Sequence, residues 1–237
     1  MKLITWNCQG AFRKKADPIL ALEPDILVVQ ECEHPEKLIF NSNTPPPTDF
    51  LWFGENKNKG LGIFSFSNFR FSLLETYNSA IKFIVPLSVT DGLINIILFP
   101  IWANNRNDPK GRYIEQVWKA VNYYEELLNT EYVILIGDFN SNKICDKKHR
   151  TGNHSHVVEN LSGKQIYSIY HEYLGQEQGT ESHSTFYLHR NFAKPYHIDY
   201  CFASQELFAK VCAIEIGTFD QWIKYSDHTP LRVKFEL

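Results

Sequence analysis

The segment 132–140 reads YVILIGDFN and decides the fold class. Residues 132–136 form a short apolar run, and the turn residue Gly137 follows before Asp138 and Asn140. Short apolar runs bounded by turn residues are typical of strands. The segment therefore predicts a strand that ends in a carboxylate and an amide.

The same pattern recurs along the chain. Further strands are predicted over residues 3–8, 25–30, 62–66, 81–87, 93–102, 197–203, 211–217 and 230–235. Apolar residues at helical spacing predict helices over 112–129 and 157–173, and shorter helices near 15–22 and 205–210. Many strands with few helices between them favour two packed sheets flanked by helices. We expect a single domain of mixed α/β (α+β) class that covers residues 1–237.

Composition narrows the functional classes. The formal net charge is −3, with Lys+Arg 24 against Asp+Glu 27. This excludes the class of basic proteins that bind long stretches of nucleic acid non-specifically. Any nucleic-acid contact must come from a local basic patch or a bound cation. No apolar run approaches the roughly 20 residues that span a bilayer, so we expect no membrane partner. Five cysteines without CxxC spacing, and a first strand without a leader pattern, favour a cytoplasmic location.

Carboxylates interrupt or end several predicted strands. They are Glu31, Asp138, Asp199 and Asp227. A partly buried carboxylate costs several kcal/mol unless it is paired or bound to metal. Four of them at one mouth of a sheet would repel one another, and a Mg²⁺ or Mn²⁺ ion would turn that repulsion into attraction. Each residue alone is more readily a turn or cap residue, so the hypothesis depends on their joint occurrence.

Five short motifs strengthen this hypothesis. They are TWN ending at Asn7, VVQE ending at Glu31, GDFN at 137–140, HIDY at 197–200 and SDH at 226–228. In order and rough spacing the chain resembles the endonuclease/exonuclease/phosphatase family from residue 5 onward. The resemblance implies a four-layer α/β sandwich, with two central, mostly antiparallel sheets and helices outside.

The resemblance also implies roles in a metal-assisted hydrolysis. Glu31 is the implied metal ligand, with Asp227 near the same Mg²⁺ or Mn²⁺ ion and Asn7 close to it. Asp138 would orient or deprotonate the attacking water, and Asn140 would hold a phosphate oxygen. The remaining implied pair is His228 with Asp199: a charged imidazole stabilises the phosphoryl group while the carboxylate fixes its orientation.

Substrate contacts are predicted less sharply. Gln9 stands where relatives often carry Asp or Asn, which favours a contact to phosphate or water. Trp102 stands where many relatives have His or Tyr, and it either lines the active-site wall or belongs to the core. The predicted substrate-binding residues are Gln9, Trp102, Asn105, Arg150, Asn153, His154 and Phe186.

Three functions remain open at this level. The favoured one is a divalent-metal-dependent nuclease that acts on DNA or RNA, as an endonuclease or exonuclease and possibly at abasic sites. The alternative is a phosphatase or phosphodiesterase of a small molecule such as a nucleotide or a sugar or inositol phosphate. A catalytically silent binding module would be expected to lose several of the motif residues, and all of them are present. The oligomeric state is left open.

Overall fold

A computed structural model of the chain describes residues 1–104 and 112–237. Its strands are β1 (Lys2–Asn7), β2 (Ile26–Cys32), β3 (Asp49–Asn56), β4 (Lys59–Ser65), β5 (Arg70–Leu73), β6 (Leu87–Thr90), β7 (Asn95–Trp102), β8 (Val133–Asp138), β9 (Ile166–Ser168), β10 (Phe186–Tyr187), β11 (Pro195–Tyr196), β12 (Asp199–Ser204), β13 (Val211–Ile216) and β14 (Leu231–Phe235). Its α-helices are α1 (Ala16–Leu20), α2 (Ile114–Tyr123), α3 (Glu125–Leu128), α4 (His154–Ser162), α5 (Ile169–Leu174), α6 (Gln205–Phe208) and α7 (Phe219–Trp222). Within these residues, no helix combines the length and the apolar character that a membrane crossing requires.

The strands form two six-stranded sheets. The first has the order β13-β14-β1-β2-β4-β3 and the second the order β5-β6-β7-β8-β12-β9. In each sheet one central pair is parallel, β1 with β2 and β7 with β8, and the other neighbours are antiparallel. The short strands β10 and β11 form a separate hairpin. The predicted pair of mostly antiparallel sheets is confirmed.

Side-chain alternation along the strands explains the layers. Along β1, Leu3 belongs to the core between the two sheets, whereas Ile4 and Trp6 belong to the core beneath α1. Along β8, Ile134 and Ile136 face the inter-sheet core, and Leu135 packs with α2 and α4. Because both faces of each central strand are covered, four layers result, as the sequence predicts.

Two predicted helices differ from the structure. The predicted helix over 112–129 is interrupted at Tyr124, where the backbone angles (φ −93°, ψ 25°) leave the α region, so α2 and α3 are separate. The single helix predicted over 157–173 is wrong. It is divided into α4, β9 and α5, because Gln165 adopts φ 59° and the chain turns into a strand.

The strand predicted over residues 81–87 is also wrong. Phe83 has φ 58°, which interrupts the extended backbone, and β6 begins only at Leu87. The residues are apolar because they are buried: Ile84 packs against α2 and Val85 lies between the sheets. Here, burial outside a strand produced the strand-like pattern.

Candidate active site

Polar residues replace apolar ones at one end of the inter-sheet core. Along β1 the inward positions are Leu3, Thr5 and Asn7, and all three are buried. The matching inward positions end at Asp138 on β8 and begin at Asp199 on β12, also buried. Strand alternation therefore delivers an amide and two carboxylates to one end of the space between the sheets.

Among these groups, Asp138 accepts the most hydrogen bonds. The Nδ2 of Asn7 donates to its Oδ2 at 2.9 Å, which joins the two sheets directly. The backbone N–H of Asn140 donates to its Oδ1 at 2.8 Å, and the Nδ2 of Asn140 lies 3.1 Å from Oδ2. Asn140 adopts φ 49°, a conformation that Asn tolerates better than most residues. The turn at 138–140 supplies two hydrogen bonds to the carboxylate of Asp138, and Asn7 supplies the third.

Asp199 and His228 form a buried pair. The Nδ1 of His228 lies 2.8 Å from Oδ2 of Asp199, and both side chains are almost fully shielded. The backbone N–H groups of Ile198 and Asp199 donate to the hydroxyl of Thr185, which holds the start of β12. The Oδ1 atom of Asp199 is buried without a hydrogen-bond partner.

The electrostatics follow from burial and like charge. Asp138 and Asp199 are directly opposed on neighbouring strands. Desolvation, and then the charge of Asp199, raise the pKa of Asp138 to about 7. Burial alone would lower the pKa of His228, but the charge and hydrogen bond of Asp199 outweigh it and raise that pKa to about 9. Near neutral pH the site therefore holds a carboxyl group that can exchange its proton and a charged imidazole.

Glu31 occupies a bulge in β2. The pairing with β4 shifts between Gln30 and Cys32, and Glu31 has φ 57°. The bulge turns Glu31 out of the regular alternation, and its side chain is 18 % exposed. Its Oε2 lies 2.6 Å from Nζ of Lys59.

Asp227 lies on the segment before β14, at the same end of the molecule. Burial raises the pKa of Asp227, and the nearby charge of Glu31 raises it further. The Nε2 of Gln9 donates to Oδ2 of Asp227 at 2.7 Å. Two carboxylates of two chain segments thus lie within electrostatic range of each other, with oxygen atoms that suit a hard cation.

A second group of possible metal ligands lies deeper. One ligand atom each of Asp138, Asp199 and His228 falls within 4.8 Å of the other two. The Nδ1 of His228 lies 2.8 Å from Oδ2 of Asp199, so two members of this group already contact each other directly. We interpret this group as the acid–base part of the site.

The predicted substrate-binding residues separate into different environments. Gln9 is exposed beside Asp227, and the ring of Phe186 lies 4.7 Å from the ring of His228. Trp102 is only 3 % exposed and packs on Phe83 in the core, so the alternative of a core residue describes it better than an active-site wall. Asn105 lies outside the described residues.

The predicted residues in the loop after the GDFN motif also lie in different environments. Arg150 and Asn153 line a cavity of about 610 Å³ that reaches Asn140, although Arg150 is paired with Glu115 at 2.7 Å. The prediction for His154 needs correction. It is fully buried, and its Nε2 lies 3.1 Å from Gln178, because the first turn of α4 packs inward against Tyr200.

Several supporting residues were missed from the sequence. Ser226 donates to the backbone carbonyl of Asn7 at 2.7 Å and accepts the N–H of His228 at 3.1 Å, so it ties the first motif to the last. Thr185, Lys59 and Arg190 were also missed. Ser226 and Thr185 stand inside or beside recognised motifs, but nothing in the spacing of Lys59 or Arg190 indicates that they meet the site.

Comparisons with known proteins agree with this geometry. The family described as the Endonuclease/Exonuclease/phosphatase family matches residues 4–228. No curated protein matches the chain significantly in sequence.

Solved structures share the fold across the whole chain. An AP endonuclease from Leishmania major has a TM-score of 0.72 at 16% identity, covering 100% of this chain and 87% of its own. An AP endonuclease from Archaeoglobus fulgidus has 0.69 at 17%, with 100% of both chains covered. The 3′ phosphatase NExo from Neisseria, bound to a product DNA hairpin, has 0.68 at 19%, again with 100% of both.

Proposed function

Because the chain belongs to the Endonuclease/Exonuclease/phosphatase family, we propose that it is a divalent-metal-dependent nuclease that hydrolyses phosphodiester bonds. The proposal rests on one observation: Asn7, Asp138, Asp199 and His228 form a buried, contiguous set of polar groups. Glu31 and Asp227 lie at the open end of this site. Such a set supplies a base, a fixed cation and oxygen ligands within one site.

The residues at the open end fit a Mg²⁺ or Mn²⁺ ion. Glu31 and Asp227 offer carboxylate oxygens, and the side-chain oxygen of Asn7 lies beside Gln9, whose backbone N–H it accepts at 3.0 Å. The Nζ of Lys59 lies 2.6 Å from Oε2 of Glu31, so an ion bound by Glu31 would share this carboxylate with Lys59. When bound, the ion neutralises charge on the phosphoryl oxygens and so lowers the barrier to attack.

The buried groups have separate tasks in the hydrolysis. Asp138, with a pKa near 7, accepts the proton of the attacking water, and Asn7 and Asn140 hold it in place. His228 carries a positive charge that stabilises the negative charge developing on the phosphoryl group. Asp199 keeps that imidazole charged and oriented.

A nucleic acid is the substrate that several observations favour. NExo was solved with a DNA hairpin, and two other structural neighbours are AP endonucleases. Phe186, half-buried beside His228, offers an aromatic face on which a base or sugar next to the cleaved bond can pack.

A substrate panel tests the proposal. Purified protein with Mg²⁺ or Mn²⁺ is given single-stranded DNA, duplex DNA, DNA with an abasic site, RNA and bis-p-nitrophenyl phosphate. We expect cleavage of at least one nucleic acid. Turnover of the simple ester or of nucleotides and sugar phosphates, with all nucleic acids left intact, would reject the nuclease and support a small-molecule phosphoesterase.

A further inference from the structure

Two cations at the mouth of the site have no carboxylate partner. Within the described chain, Arg13, Lys59 and Arg150 are each paired with a glutamate. By contrast, neither Arg190 nor Lys15 forms an ion pair with a carboxylate among those residues. Within the described residues, the charges of these two side chains are therefore not neutralised by a carboxylate.

Arg190 is held beside the proposed metal ligands by one intervening amide. Its Nε donates to Oε1 of Gln9 at 3.2 Å, and the Nε2 of Gln9 donates to Asp227 at 2.7 Å. The Nη2 of Arg190 also donates to Oε1 of Gln9 at 2.5 Å, and its two remaining contacts are longer, 3.5 Å to the carbonyl of Lys224 and 3.4 Å to that of Tyr225. A guanidinium has five N–H donors in a planar fork, so this exposed Arg190 keeps donor capacity for a ligand.

The backbone around Arg190 is strained. His189 has φ 58° and Arg190 has φ 56°, and on the facing loop Gln9 and Ala11 have φ 54° and 52°. Non-glycine residues in the left-handed region are conformationally unfavourable and concentrate at functional sites. The two loops that carry Arg190 and Gln9 are thus held in unfavourable conformations where they meet.

Lys15 approaches the same place from the loop before α1. Its Nζ donates to the carbonyl of Cys8 at 2.6 Å, and it is half-buried. Burial, and after it the charge of Arg190, lower the pKa of Lys15, while the charge of Asp227 opposes this. Cys8 directly precedes Gln9, so the ammonium of Lys15 is bonded to the same loop that holds Arg190. Two cations that repel each other are stabilised together when one anion binds both.

We propose that Arg190 and Lys15 bind a phosphate that neighbours the cleaved one, so that the site selects a phosphodiester chain over an isolated phosphoester. The inference depends on the proposed nuclease function, because only a chain of phosphodiesters presents a second phosphate at a fixed spacing. It assigns the two residues to specificity, not to the chemical step.

Two substrates separate these roles. A short DNA oligonucleotide carries neighbouring phosphates, whereas bis-p-nitrophenyl phosphate has one phosphorus atom. For Arg190→Gln we expect kcat/KM on the oligonucleotide to fall about 10- to 100-fold, mainly through KM, because a charge-assisted hydrogen bond is lost. The same variant should keep its kcat/KM on the simple ester within about threefold. In a plot of the logarithm of the oligonucleotide binding constant against the logarithm of the salt concentration, the slope of this variant should be smaller in magnitude by about one.

Matched variants control for charge and folding. Arg70→Gln removes the same charge from an exposed arginine that contacts Thr48 and Ser67 instead, and it should leave both substrates unaffected. Arg190→Lys keeps the charge without the planar guanidinium. Its kcat/KM on the oligonucleotide should lie between those of wild type and Arg190→Gln. Lys15→Gln should reproduce the loss that is selective for the oligonucleotide.

The outcomes are distinguishable. Unchanged oligonucleotide cleavage in both Arg190→Gln and Lys15→Gln would overturn the inference while the nuclease function stands. An equal loss on both substrates would also overturn it, since Arg190 would then act through Gln9 on Asp227. A wild-type protein that hydrolyses only the simple ester would reject the nuclease function itself, and the inference with it.

Discussion

At the scale of single residues, the site rests on two carboxylates that the fold forces together. Asp138 and Asp199 are opposed in register and almost fully buried, an arrangement that like charge and desolvation both disfavour. The positive charge of His228 relieves part of this cost, and the rest raises the pKa of Asp138 to about 7. The groups proposed for catalysis are therefore also the ones that cost folding free energy.

Replacing Asp138 should separate activity from stability. In Asp138→Asn the base is lost, so we expect kcat on any substrate that the wild type cleaves to fall by about 10²–10⁴. The melting temperature should change much less than activity, because removing a buried charge offsets the loss of an acceptor for Asn7 and Asn140. Asp91→Asn is the control, because Asp91 caps a turn by accepting from the backbone N–H groups of Leu93 and Ile94. Activity within a few-fold of wild type in Asp138→Asn would remove Asp138 from the chemical step.

A second prediction concerns His197 and acid stability. Burial lowers the pKa of His197 to about 4 from its usual 6.5, and its Nε2 has no hydrogen-bond partner. Between these two pH values the unfolded chain binds the proton and the folded chain does not, so stability falls as pH falls. The loss should be on the order of 2 kcal/mol between pH 6.5 and pH 4.

Urea unfolding across that pH range checks this. His197→Asn should flatten the decline, whereas His149→Asn, at an exposed position, should follow the wild type. A decline of equal steepness in His197→Asn would mean that another group controls acid unfolding.

At the scale of elements, irregularities in the strands place the functional groups. Glu31 emerges from a bulge in β2, and Gly137 in β8 has φ 144°. A Cβ on Gly137 would lie 2.0 Å from the carbonyl oxygen of Ile101, so only glycine fits where β8 turns into the GDFN motif.

A pair of glycine substitutions tests that explanation. Gly137→Ala should destabilise the protein by several kcal/mol or prevent folding, since both the contact and the backbone angle are unfavourable. Gly163→Ala, at the end of α4 with φ −60° and its nearest atoms at 3.5 Å, should be neutral or stabilising by up to about 1 kcal/mol. Thermal melts of the two variants test this prediction. A normal melting temperature in Gly137→Ala would show that β8 can readily rearrange.

The bulge at Glu31 gives a prediction about metal affinity. Glu31→Gln removes one carboxylate from the proposed ion site, and we expect Mn²⁺ to bind at least about tenfold more weakly by calorimetry. Glu36→Gln is a matched control, because Glu36 is exposed and is likewise paired with a lysine, Lys57. Equal Mn²⁺ affinities in wild type and Glu31→Gln would place the ion elsewhere.

The elements also show what the sequence could and could not predict. Strands buried on both faces, such as β1 and β8, were recognised because their apolar runs are continuous. The edge strands β3 and β5 were missed: both are largely exposed, β5 has no continuous apolar run, and that of β3 is limited to residues 50–53. The sequence pattern over 157–173 led to a wrong prediction. The buried apolar residues of α4, β9 and α5 recur at a spacing that one long helix would also show.

At the scale of the whole molecule, two sheets converge on one site. The hydrogen bond from Asn7 to Asp138 crosses from one sheet to the other, and Ser226 ties the last motif to the first. The order of the motifs was enough to predict this convergence through the family resemblance. The positions of Arg190 and Lys15 beside Asp227 were not predictable, since they depend on how loops far apart in sequence pack.

The central claim is that these converging groups cleave nucleic acid with the help of a divalent cation. The most direct test is cleavage of an end-labelled DNA or RNA oligonucleotide by chelator-treated wild-type protein while Mg²⁺ or Mn²⁺ is titrated back. The account predicts no cleavage without the ion and a saturable return of cleavage as it is added. Cleavage that persists in excess chelator, or none at any concentration of either ion, would contradict it.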